Sequence, residues 1–69
     1  MAEGIIYYED GITACFRRIC EEAKRNQEVI PFSYFVEGDS LWCEREGMNP
    51  SIYAQREGTE WIAFFERGK

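Results

Sequence analysis

The sequence predicts a single α+β domain spanning residues 1–69, an antiparallel sheet with one helix packed on one face, in the order β-α-β-β-β-β. Three observations lead there. Apolar residues between Ile12 and Ala23 recur at helical spacing. After Pro31 the pattern changes to four short runs rich in aromatic and β-branched residues. Two breaks, Gly38-Asp39 and Gly58-Thr59, each separate a pair of those runs, which is a hairpin signature.

The elements follow in order. Gly4-Ile5-Ile6-Tyr7-Tyr8-Glu9 reads as a first strand, ended by Asp10-Gly11. Asp10 is the candidate helix cap, with Thr13 as its competitor. Ile12, Cys15, Phe16, Ile19, Cys20 and Ala23 then form one apolar stripe. Arg17, Arg18, Glu21, Glu22, Lys24 and Arg25 occupy the other side, where charges four residues apart support a solvated helix surface. Asn26-Gln27 is the expected helix end, with Lys24 and Arg25 facing the negative pole of the helix. The strands are expected over Phe32 to Glu37, Ser40 to Glu46, Ser51 to Glu57 and Glu60 to Glu66, with Gly47-Met48-Asn49-Pro50 joining the two hairpins.

Residues opposite one another across a hairpin share a face, as do alternate residues along a strand. Two-residue turns therefore pair Val36 with Leu41, Tyr34 with Cys43 and Phe32 with Arg45. The set Phe32, Tyr34, Val36, Leu41, Cys43, Ile52, Ala54, Trp61, Ala63 and Phe65 is nearly free of charge and is the expected core. The small pair Ala54–Ala63 offers the helix a shallow seat. The opposite face carries Phe35, Trp42, Tyr53, Ile62 and Phe64 among Glu37, Glu44, Glu46, Glu57, Glu60 and Glu66. A wet sheet face ordinarily carries large apolar groups only singly. Such a cluster is a candidate interaction surface, anchored by its aromatic residues. The competing reading is cross-strand stiffening by pairs such as Phe35–Trp42.

Composition narrows the function. With 69 residues the chain is near the lower size limit for folding on a core alone, and 16% aromatic content supplies the dense burial this requires. Thirteen acidic and eight basic residues give a net charge of −5, the wrong sign for contact with nucleic-acid phosphates or anionic membranes. A protein partner with a basic surface suits that charge better. The opening Met-Ala-Glu-Gly lacks the features of a secretory leader, so the cytoplasm of a host or infected cell is the expected location. The odd count of three cysteines, Cys15, Cys20 and Cys43, argues against a disulfide framework.

Histidine is absent, which removes the commonest general base and metal ligand. The cysteines lack paired metal-ligand spacing, and no glycine-rich phosphate loop is visible. Glu44-x-Glu46 places two carboxylates on one strand face, which a solvated acidic surface explains without chemistry. No enzyme activity and no cofactor are expected. The expected function is a stand-alone inhibitor or adaptor whose aromatic, Glu-rimmed face docks on a nucleic-acid-processing partner, imitating nucleic-acid charge. In size, charge and organisation the chain is similar in type to small acidic phage-encoded inhibitors, anti-CRISPR proteins among them, although no family motif accompanies that similarity. The alternative is a homodimeric structural subunit or scaffold, so the chain is expected to be a monomer or a homodimer. A single-strand binder stacking bases on Phe35, Trp42, Tyr53 and Phe64 is disfavoured by the acidic surroundings.

Overall fold

A computed structural model describes residues 11–67 of the chain; the expected first strand, Gly4–Glu9, and the candidate cap Asp10 lie outside the described residues. Helix α1 spans Gly11–Arg25. Thr13, the competing cap, lies inside it, and its hydroxyl meets the Tyr34 hydroxyl at 3.3 Å. The helix stops where expected and by an identifiable device. Gln27 adopts φ 58°, its N–H bonds the Lys24 carbonyl at 3.2 Å, and the Glu28 N–H bonds the Ala23 carbonyl at 2.8 Å. This is a Schellman end with a glutamine at the left-handed position, where glycine is the unstrained choice.

Four strands follow: β1 (Ser33–Glu37), β2 (Ser40–Glu44), β3 (Ser51–Glu57) and β4 (Glu60–Ala63). They form one antiparallel sheet in the order β1-β2-β3-β4. The first hairpin has the expected register, Tyr34 opposite Cys43, Phe35 opposite Trp42 and Val36 opposite Leu41. In the second, Ala54 faces Ala63 and Arg56 faces Trp61. Gly38 and Gly58 open the two turns at φ 63° and 64°, while Asp39 and Thr59 keep negative φ. Glycine at the first turn position alone marks the type II′ hairpin, whose twist matches the strands it joins.

The helix stripe and one sheet face make the core. Cys15, Ile19 and Leu41, Cys43, Ala54, Trp61 and Ala63 form the buried cluster, with Ile12, Phe16, Tyr34, Tyr53 and Phe65 packed against it. The Phe16 and Tyr34 rings meet at 4.5 Å between centroids. Ala54 and Ala63 are both fully buried, as a close helix approach requires.

Four expectations are corrected. Phe32 and Val36, assigned to the core, are 67% and 40% exposed, because they flank the part of β1 that Tyr34 anchors to the helix. The strand expected to reach Glu46 ends at Glu44; an Arg45–Met48 backbone turn, closed at 3.1 Å, takes Glu46 out of the sheet. The strand expected to reach Glu66 ends at Ala63, and Phe64–Arg67 form a helical turn, α2. Finally, the pairing of β2 with β3 shifts between Leu41 and Trp42: Leu41 faces Ala54 but Trp42 faces Ile52. Tyr53 is therefore an extra, bulged residue, and Ile52 is outside the core cluster.

Helix α2 has a local cause. The Glu66 carboxylate reaches back to accept the Ala63 N–H at 3.0 Å, one half of a capping box. Arg18 of α1 grips the same carboxylate from the other side, Nε to Oε2 at 2.7 Å and Nη2 to Oε1 at 3.2 Å, and donates to the Trp61 carbonyl at 3.1 Å. That grip holds the Arg18 guanidinium above its ordinary pKa through the Glu66 hydrogen bond. Glu66 is thus used to turn the chain away from the sheet.

Candidate functional site

Alternation along β1 and β2 sends Tyr34, Leu41 and Cys43 to the helix and leaves Phe35 and Trp42 on the opposite face. There the two rings stack, 5.8 Å between centroids and 8° from parallel. Phe35 is 39% exposed and Trp42 half-buried. Glu37 lies two residues beyond Phe35, and Glu44 two residues beyond Trp42, so the antiparallel pairing sets the carboxylates at opposite ends of the stack. Ser40 and Gln55 pair beside it, and Glu57 faces Glu60 at the far hairpin.

Arg56 in β3 and Arg45 just after β2 are engaged with other groups. Arg56, opposite Trp61 on the helix side, holds its guanidinium 6.0 Å from the Trp61 ring and pairs with Asp39. Arg45 lies over the Tyr53 ring at 5.2 Å, and its buried Nε has no hydrogen-bond partner among the described residues. The ring face supplies part of the missing stabilisation for that cation. Arg67 pairs with Glu57 and removes that carboxylate from the free acidic set.

Of the eleven residues expected on one face, Ile62 pairs with Gln55 and Glu66 caps α2, and the other nine separate. Phe35, Glu37, Trp42 and Glu44 stay together. Glu57 and Glu60 share the face at its far corner. Glu46 sits in the exposed connecting turn. Tyr53 is turned against the core by the bulge, and Phe64 starts α2 instead of continuing β4. Tyr53 and Phe64 both line an open cleft of about 330 Å³ between α1, β3 and α2. Its apolar walls include Ile19, Ala23 and Phe65, and Glu28 lies on its rim. Sequence alternation could not find this cleft, because it depends on the bulge and on the helical turn at Phe64.

Cys15 and Cys43 are buried, and all three cysteines are free. Burial pushes the Cys43 thiol up to about 12, with smaller contributions from Cys20 and Cys15 nearby. Burial raises the Cys15 and Cys20 thiols as well. Each shift favours the neutral thiol over the thiolate. Among the described residues, no cluster of three His, Cys, Asp or Glu could hold a metal ion, and no helix is long and apolar enough to cross a membrane. No protein-family model, curated protein or solved structure matches the chain.

Proposed function

We propose that this domain is a protein-binding module, acting as a stand-alone inhibitor or adaptor through the sheet face opposite α1. The observation that carries the reading is the exposed Phe35–Trp42 stack set between Glu37 and Glu44. A rigid aromatic pair supplies contact area at low entropic cost, and carboxylates at its ends select a partner with basic groups at matching positions. A protein channel that normally holds nucleic acid has that chemistry. With Arg45 and Arg56 engaged elsewhere, the stack keeps its negative surroundings.

The test is charge reversal. Glu37→Lys with Glu44→Lys should slow association with the partner and remove most of its salt dependence, while leaving the fold intact by circular dichroism. Binding that keeps its rate and salt dependence in that double variant would rule out this face. A second reading, a homodimeric scaffold, is favoured by one observation: Val29, Ile30, Phe32, Phe35 and Val36 are all exposed large apolar residues within one short segment.

A further inference from the structure

We infer that the outer edge of β1 is a self-pairing edge, and that two copies of this chain join there into a continuous antiparallel sheet. This deepens the scaffold reading and rests on the same exposed segment.

An open strand edge offers unpaired N–H and C=O groups to any matching strand, and proteins ordinarily defend such edges with lysine, proline, bulges or short strands. Among the described residues, the two edges of this sheet differ in that respect. β4 has four residues, begins with Glu60 and ends in α2. β1 has five, Ser-Tyr-Phe-Val-Glu, with no lysine, proline or bulge, and it bears one charge at its end. The large exposed apolar groups concentrate at the same place, Phe32 at 67%, Val36 at 40% and Phe35 at 39%.

Strand β1 is also complementary to itself. A two-fold axis through Phe35 sets Tyr34 opposite Val36, and Ser33 opposite Glu37, of the second copy. No like charges meet, and the exposed Val36 gains an aromatic neighbour. Phe32 falls opposite Gly38, where no atom stands within 4 Å of the missing side chain. A two-fold interface requires this matching of a surface with its own copy.

The pairing has a consequence for the opposite sheet face. Neighbouring strands lie about 4.8 Å apart, so Phe35 would meet Phe35 of the second copy. The two Phe35–Trp42 stacks would then form one row of four rings across the dimer. A partner docking there would meet a two-fold symmetric surface.

The measurement is weight-average mass by light scattering from low micromolar to near-millimolar concentration, on wild type, Val36→Lys, Phe35→Lys and the off-edge control Phe64→Lys. Wild type and control should rise toward twice the 8.1 kDa of one chain. Val36→Lys and Phe35→Lys act from opposite faces of the strand, and each should weaken the dimer by about tenfold or more, since the axis doubles every added charge. Circular dichroism establishes that each variant is folded, and the two substitutions are independent trials of the edge. Single-chain mass at every concentration overturns the inference, as would result from another segment occupying the edge. A dimer equally strong in both folded β1 variants also overturns it, because the contact then lies elsewhere. No partner is present in this measurement, so its failure is distinct from failure of the protein-binding reading.

Discussion

Arg18→Met removes the clamp that joins α1 to the end of the sheet while keeping most of the aliphatic stem. The native guanidinium makes two hydrogen bonds to Glu66 and one to the Trp61 carbonyl. Fully buried charged hydrogen bonds contribute about 1.5–3 kcal/mol each, but the Arg18 and Glu66 side chains are 41% and 28% exposed. Water then replaces part of what is lost, and exposed pairs fall to about 0–1 kcal/mol. The expected loss is intermediate, about 1.5 kcal/mol, which in a domain of this size lowers Tm by about 6–12 °C. Glu66→Gln separates the two roles of the carboxylate, because the amide oxygen still accepts the Ala63 N–H while the charge is gone. Glu66→Ala loses the cap too and should cost about 1 kcal/mol more than Glu66→Gln. Thermal and urea unfolding of Arg18→Met, Glu66→Gln and the double variant give the coupling, expected near 1 kcal/mol. Additivity within about 0.3 kcal/mol would refute the clamp, as would a Tm for Arg18→Met within about 2 °C of wild type.

Other substitutions probe separate parts of the structure. Gln27→Gly relieves the left-handed backbone at the end of α1 and should stabilise the fold by about 1 kcal/mol, read as a higher Tm; an unchanged or lower Tm contradicts the strain. Ala63→Leu forces a larger group into the seat facing Ala54 and should destabilise by about 1–3 kcal/mol in urea unfolding, whereas a neutral result would mean that the helix approach is loose. The unfolded chain ionises Cys43 near 9.0, while the fold keeps it neutral to about 12, so ionisation favours the unfolded state between those values. Its contribution to stability is complete below pH 9 and falls as pH rises toward 12, by at most about 1.4 kcal/mol per pH unit. Urea unfolding across that range should show a shallower fall in Cys43→Ala, and identical slopes would contradict the assignment.

The sequence made some of this architecture readable and hid the rest for physical reasons. The stripe from Ile12 to Ala23 has one solution, because its spacing fits a helix and its opposite side is charged. Gly38 and Gly58 set both hairpin registers, and with them the Phe35–Trp42 pair and the Ala54–Ala63 seat. The failures lie where a tertiary contact outweighs alternation. Alternation would place Phe64 on the open face in a continuing strand. Arg18, nearly 50 positions away in sequence, holds Glu66 in the cap that ends that strand. The pattern read Arg18 as part of a solvated helix face and gave no sign of that reach. Tyr53 departs from simple alternation because a bulge adds one residue to β3 without changing its composition. Glu46 left the sheet because the Arg45–Met48 turn begins earlier than the run of strand-forming residues suggests. Phe35, Glu37, Trp42 and Glu44 stay together because they belong to one regular hairpin.

The most direct test of the central claim is affinity capture from a lysate of the source cells with wild type and Trp42→Ala, followed by affinity measurement on whatever wild type retains. Wild type should hold a basic protein that Trp42→Ala binds about 30-fold more weakly, the loss typical of a central aromatic anchor. Phe64→Ala, which alters the cleft instead of the stack, should bind like wild type. A partner held equally well by folded Trp42→Ala would contradict the claim that the Phe35–Trp42 face is where this domain binds.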